Sequence, residues 1–415
     1  MQATRRTAIQ ALGAALASTG MPRAFAQAKP IKLGFGMALT GGIAASGKAA
    51  LIAIQMWQEE INAKGGLLGR PVELVYYDDQ SNPATVPGIY TKLLDVDRVD
   101  LIVSGYGTNL MAPAMPLVMQ RGMMFMGNFG LAVNDKFNYD RYFQIQPNGP
   151  NARIDFSKGF LDLAMTMNPK PKTIAILGAD AEFPHIALDG ARENIKKLGL
   201  KTVYDKNYPP TTIDGGPIMR AVAATNPDIV FVASYPPDTA AMVRAANEVN
   251  LKCKMFGGGL IGLQFSALKT QLGTLLNNIV YYDINVPEPT MKFPGIDEFL
   301  NKYRVRAAKE GVDILGFYLP PYAYAGLQVY TQAIEALKTL DNARLAAYVH
   351  KSTFDTIVGK IKFAANGEWD TSRILFVQFQ GIKGNDIEQF KEAGKQVILT
   401  PAQFKSGKFV YPYRA

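Results

Sequence analysis

The chain has 415 residues, 48% of them apolar and 19% charged, with a formal net charge of +9. Such a length supports two domains with separate cores, and such a composition excludes a disordered or fibrous chain. Lysine and arginine are scattered rather than clustered, which leaves no nucleic-acid footprint, and Cys253 is the only cysteine, which excludes an internal disulfide.

The first 26 residues read as a targeting segment. Thr4-Arg5-Arg6-Thr7 is a basic start with a twin arginine, Ala8 to Met21 is apolar, and Ala24-Phe25-Ala26 supplies a small-x-small cleavage site. We expect cleavage after Ala26 and a periplasmic protein. Thr7-Ala8-Ile9 matches the twin-arginine pattern loosely, so the twin-arginine and general export routes both stay open. No later stretch approaches the ~18 consecutive apolar residues of a membrane span.

From residue 30 onward, short β-rich runs alternate with helical patterns. Ile31–Met37 reads as a buried strand, followed by a helix over about 47–63 whose Ala50, Ile54, Trp57 and Ile61 share one face. Gly65-Gly66 stops that helix. Strands at 72–77, 101–103 and 123–126 alternate with helices at 83–95 and 110–121. Phe143-Gln144-Ile145-Gln146-Pro147 reads as a crossing, because the rhythm then restarts. Helices at 151–167, 186–198 and 239–250 alternate with strands at 174–177, 229–232, 254–256 and 279–282. Val286-Pro287-Glu288-Pro289 is a second crossing, followed by helices at 321–337 and 343–350 and strands at 359–363 and 374–379. This rhythm predicts parallel sheets covered by helices, in two α/β lobes joined by several crossings.

Two glycine-rich stretches resemble nucleotide sites. Gly42 to Lys48 fits the P-loop spacing, and Asp78-Asp79 ends the next strand, but position 49 is Ala where a P-loop needs a hydroxyl for the metal. Gly257-Gly258-Gly259-Leu260-Ile261-Gly262 satisfies the dinucleotide pattern, with a helix-like stretch at 263–276 and Asp283 beyond. The preceding strand is short, however, and no catalytic constellation accompanies it. The glycines read best as a turn. His185 and His350 are the only histidines, and with one cysteine they cannot build a three-ligand zinc site without carboxylates. His185 is expected to flank its helix, and Asp180 and Glu182 to be solvated charges in a loop.

Three segments gain specificity in combination. Leu39-Thr40-Gly41 with Gly47, then Ile61-Asn62-Ala63-Lys64-Gly65-Gly66 with Gly69, then Tyr77-Asp78-Asp79-Gln80-Ser81-Asn82-Pro83, occur in one order and spacing. The set resembles the leucine/isoleucine/valine-binding protein family of type I periplasmic solute receptors, over about residues 30–390. These motifs lie in the scaffold and report the family, not the ligand.

The resemblance implies two Rossmann-like lobes joined by three hinge strands, with a ligand cleft between them and delivery to an inner-membrane ABC permease. It implies a monomeric receptor, not an enzyme, with no cofactor and no metal. The lobes would be 30–145 with 284–356, and 146–283 with 357–393, leaving 394–415 as a C-terminal extension. Carried over by position, the ligand contacts fall on Ser46, Thr108, Phe129, Gly130, Leu131, Phe183, Tyr235 and Gly259, with Phe317 nearby and Tyr106 and Asn128 flanking. Amino-acid-binding members place an acid on the second lobe to pair the ligand ammonium; here Gly259 occupies that position, and Leu131 replaces a hydroxyl donor. An ammonium buried without a partner costs several kcal/mol. The expected ligand is therefore a small carboxylate-bearing apolar or aromatic compound. A branched-chain amino acid receptor is the close alternative, if Asp180 or Glu182 replaces the missing anchor. An exported dinucleotide-dependent oxidoreductase is the remote one. Lys48 is expected to be a solvated first-turn residue.

Overall fold

A computed structural model of the chain describes residues 29–210 and 212–414. The export signal expected over residues 1–26 lies outside the described residues. Two sheets organise the molecule. The first holds β1 (Ile31–Met37), β2 (Val72–Asp78), β3 (Leu101–Tyr106), β4 (Phe125–Asn128) and β5 (Tyr142–Gln144) in the order β2-β1-β3-β4-β5, all parallel. The second contains β6 (Thr173–Ala179), β7 (Lys201–Tyr208), β8 (Ile229–Ser234), β9 (Met255–Leu260) and β10 (Val280–Asp283), again parallel. A hairpin of β11 (Thr353–Thr356) and β12 (Gly359–Lys362) stands apart. β13 (Leu375–Phe379) and β14 (Gln396–Thr400) then add antiparallel strands to the second sheet, giving the order β14-β13-β10-β9-β8-β6-β7. The central strands β3, β8 and β9 are buried along their whole length, as helices on both faces require.

The helix Ala44–Ala63 buries Ala50, Ile54, Trp57 and Ile61 together, matching the 3.6-residue period. It packs against the helix Pro320–Leu337, where Trp57 Nε1 donates to Thr331 Oγ1 at 3.0 Å. That late helix returns to the first sheet, and its Tyr330 hydroxyl lies 2.7 Å from the Met124 carbonyl oxygen. The two lobes are therefore each discontinuous in sequence.

The scaffold motifs have local physical reasons. Asn62 presents Oδ1 to the Val72 N–H at 2.7 Å and donates Nδ2 to the Val72 carbonyl at 2.9 Å, copying a strand partner for the start of β2. Gly66 has φ +80°, and a Cβ there would sit 1.8 Å from the Arg70 carbonyl oxygen. Asp78 accepts the N–H groups of Leu39 (3.0 Å), Thr40 (3.2 Å) and Gln80 (2.8 Å) and the Thr40 hydroxyl (2.7 Å). It fixes the loop before the first long helix rather than holding a metal. Partial burial opposes its charge, but these hydrogen bonds prevail and lower its pKa. Lys48 is exposed.

Three expectations need correction. Gly257-Gly258-Gly259 is not a turn but part of β9, with φ +148° and +103° at the first two. A Cβ on Gly257 would meet the Val280 carbonyl oxygen at 1.7 Å and one on Gly258 the Phe231 ring at 2.5 Å, so close strand and ring packing explains both glycines. The chain turns only afterwards, at 261–264, before the helix Ser266–Leu272, so the first three glycines of the motif lie in the strand rather than in a phosphate-binding turn. Second, residues after 393 are not an appendage, because β14 is an edge strand of the second sheet and the Tyr413 ring packs on Phe256 at 5.1 Å. Third, the break expected at 356–357 falls inside the hairpin, which stays with the first lobe. Gln332 Nε2 donates to the Asp355 carbonyl at 2.9 Å, and the Ile357 N–H to Gln328 Oε1 at 2.9 Å. The third crossing comes after that hairpin.

Candidate functional site

Between the C-terminal ends of the two sheets lies a small, tightly closed cavity of ≈ 20 Å³. In parallel α/β sheets this is where helix N-termini and loops converge. From the first lobe, Tyr106 is the last residue of β3, and Gly107, at φ +97°, turns the chain into the helix Thr108–Met111. The Thr108 and Asn109 N–H groups head that helix and have no intrahelical acceptor. Thr108 Oγ1 accepts the Leu131 N–H at 3.0 Å, which leaves its own proton free to donate. Phe129 follows β4 at φ +58°, a left-handed conformation that is costly for an aromatic residue.

The second lobe contributes Phe183 from the first turn of the helix Glu182–Leu198 after β6. Tyr235 sits between β8 and the helix Pro236–Glu248, where Pro236 presets the first helical position. Ile261 follows β9. Gln146 comes from the first crossing, and Tyr318 precedes the helix Pro320–Leu337. Phe129 meets Tyr318 at 5.0 Å and Phe183 meets Tyr235 at 5.5 Å between ring centroids, so aromatic walls close the cavity from both sides.

Among the described residues, no charged side chain lines this cavity. Its polar groups are Thr108, Gln146, three tyrosine hydroxyls and backbone. Burial pushes the Tyr106 phenol up to about 12 and holds those of Tyr235 and Tyr318 well above their ordinary value, so all three are neutral. Two hydrogen bonds tie the surroundings together. The Tyr235 hydroxyl donates to Asn109 Oδ1 across the lobes at 2.7 Å, and Gln146 Nε2 donates to the Tyr282 hydroxyl at 2.6 Å.

Among the sequence-derived candidates, Tyr106, Thr108, Phe129, Phe183 and Tyr235 come together on this cavity. Ser46 is fully buried behind it, with Oγ beside the Tyr106 phenol but short of a formed hydrogen bond. Asn128 is turned to β3, bonding the Ser104 carbonyl through Nδ2 at 2.8 Å. Gly130 and Leu131 supply backbone to the loop behind the wall, and their side-chain positions do not face the cavity. Gly259 sits in β9, where a Cβ would press on Phe156 at 3.0 Å; its absence makes room for rings. Phe317 lines a separate groove and stacks with the Arg304 guanidinium at 4.9 Å, while its neighbour Tyr318 takes the cavity-facing place. Asp180 pairs with His185 at 2.8 Å near the surface, and Glu182 also lies outside the lining. Gln146, Tyr318 and Ile261 escape sequence reasoning. The one available signal is Gln146, a polar residue inside a crossing flanked by apolar ones.

The sequence profile of a family described as "Periplasmic binding protein" matches residues 30–384. A "Leu/Ile/Val-binding protein homolog 2" from Brucella abortus is 24% identical over 364 residues, covering 86% of this chain and 91% of the relative. The branched-chain amino acid transporter substrate binding protein from Streptococcus pneumoniae, solved in complex with isoleucine, has a TM-score of 0.73 at 18% identity, covering 90% of this chain and 100% of that one. A solute binding protein of an ABC transporter from R. palustris, solved in complex with 4-hydroxybenzoate, has a TM-score of 0.72 at 20% identity, covering 89% and 95%. With the profile running from β1 through β13, the chain belongs to the family of type I periplasmic binding proteins that includes the Leu/Ile/Val-binding proteins.

Proposed function

We propose that this protein is the solute-binding receptor of an ABC importer, exported to the periplasm, and that it binds a small aromatic or apolar carboxylate lacking an ammonium group. One observation carries the ligand class: the interlobe cavity is walled by aromatic rings and, among the described residues, lined by no charged side chain. A carboxylate can be held there by neutral donors, namely the Thr108 and Asn109 N–H groups at a helix N-terminus and the Thr108 hydroxyl. The rings of Tyr106, Phe129, Phe183 and Tyr318 suit a flat or apolar body. An ammonium would find no acid, because Glu182, beside Phe183, would first have to turn inward.

The fold itself is compatible with either ligand class, since one structural neighbour holds isoleucine and another 4-hydroxybenzoate. The cavity's chemistry favours the second. Calorimetric titration with benzoate, a hydroxycinnamate, leucine and glutamate tests this reading. Heat from an aromatic acid and none from leucine is expected. Tight leucine binding with no response to aromatic acids would contradict it and restore the branched-chain amino acid reading.

A further inference from the structure

We infer that Gln144 is a positioning residue for the ligand: it does not line the interlobe cavity but holds the Phe129 wall in place from the first crossing. The inference rests on the proposed receptor function and concerns how that site is built. Gln144 is the last residue of β5 and fully buried. Its Oε1 accepts two N–H groups, from Phe129 at 3.1 Å and from Gln146 at 3.1 Å. Its Nε2 donates to the Gly130 carbonyl at 2.9 Å and to the Tyr142 hydroxyl at 2.7 Å. A longer contact runs from Nε2 to Met111 Sδ at 3.8 Å, so both lone pairs and both protons of the amide are used, and each of the two sides reaches the ligand loop.

That loop needs an external clamp. Phe129 holds φ +58°, which an aromatic residue adopts only when its surroundings over-determine it. Gly130 is confined as well, since a Cβ would meet Met111 Sδ at 2.8 Å and Val133 at 2.9 Å. The Thr108 hydroxyl fixes the far end through the Leu131 N–H. Between these anchors, Gln144 bonds both the Phe129 N–H and the Gly130 carbonyl, spanning the two residues with one side chain. The same amide bonds the Gln146 N–H, and Gln146 lines the cavity. One side chain thus links the crossing on which the lobes turn to two lining residues.

Gln144→Leu keeps the approximate volume and removes every side-chain hydrogen bond of the amide. In the full-length mature protein it should weaken benzoate binding by about tenfold or more. A double-mutant cycle with Phe129→Gly separates positioning from general damage. Gly adopts φ > 0 without strain and carries no ring, so Gln144→Leu should cost less than about twofold in that background. Equal losses in both backgrounds, or no loss in the first, would overturn the inference. Amide exchange of the unliganded protein gives a second readout: Gln144→Leu should speed exchange at 129–131 while peptides of β6 keep their rates. Unchanged exchange at 129–131 would also overturn it. If benzoate gives no heat with the unmodified protein, the ligand reading falls, and the cycle run with isoleucine together with the exchange data still decides the role of Gln144.

Discussion

Replacing Tyr235 with Phe removes a single hydroxyl from the aromatic wall and probes how the lobes close. The hydroxyl donates to Asn109 Oδ1 at 2.7 Å, from the second lobe to the first, so the bond breaks whenever the lobes part. The ring stays, along with its contact to Phe183 at 5.5 Å. A neutral, part-buried hydrogen bond contributes a net ~0.5–1.5 kcal/mol. Removing it shifts the balance between open and closed lobes by that amount, or about 2- to 13-fold. Where the open form dominates without ligand, the apparent dissociation constant rises by the same factor, because the binding-competent fraction falls. Calorimetry with benzoate measures that factor, and small-angle scattering of the unliganded protein measures the change in radius of gyration. Asn109→Ala removes the acceptor and should produce a similar weakening. Unchanged or tighter binding in Tyr235→Phe, with no change in the unliganded radius, would refute the reasoning.

Substitutions at two further positions probe the carboxylate contact and a buried acid. Thr108→Ala should weaken acid binding by ~1–3 kcal/mol, since a charge-assisted donor is lost, whereas Thr108→Ser should keep most of the affinity in the same titration. Asp238 is fully buried, accepts the Tyr208 hydroxyl at 2.8 Å and the Tyr235 N–H at 2.9 Å, and burial raises its pKa to about 6 from 3.8. A raised folded-state value means its contribution to stability is full below about pH 4 and is lost as pH rises through about 6. Asp238→Asn keeps Oδ1 as acceptor for the Tyr235 N–H and sets an amide NH2 against the Tyr208 hydroxyl, which can rotate to accept from it, and it removes the titration. The variant should therefore gain on the unmodified protein by up to ~3 kcal/mol between pH 4 and pH 7, measured by denaturant unfolding. A difference that stays flat over that range would show that the Asp238 carboxyl does not titrate there.

The parts of the fold that sequence makes legible are those where burial is local and periodic. The stripe Ala50, Ile54, Trp57, Ile61 and the apolar runs of β1, β6 and β8 announce themselves. By contrast β7, Lys201–Tyr208, is an edge strand whose side chains are mostly exposed or half-buried, so it carries no apolar run to read. β14 is recognisable only through its pairing with β13. The helix Ile296–Glu310 does bury Ile296, Phe299, Leu300, Tyr303 and Ala307 at helical spacing, a signal obscured by the proline-bearing crossing before it. Gly257 and Gly258 look like a turn because the atoms that exclude a Cβ belong to Val280 and Phe231, far away in the chain. The site shows the same limit. Thr108, Phe183 and Tyr235 sit at helix starts after strands, where position along the chain fixes orientation. Phe317 and Tyr318 lie in an irregular segment, and nothing in the sequence says which of the two rings turns to the cavity. Gln144 and Gln146 are polar residues whose roles depend on partners across the crossing.

The central claim is that the cavity accepts a carboxylate and rejects an ammonium, because no charged side chain among the described residues lines it. The most direct test compares leucine with 4-methylpentanoate, the same skeleton without the ammonium, by calorimetric titration of the mature protein. An unpaired buried ammonium costs several kcal/mol, so 4-methylpentanoate should bind at least ~100-fold more tightly than leucine. Leucine binding as tightly as its deaminated analogue, or more tightly, would contradict the account.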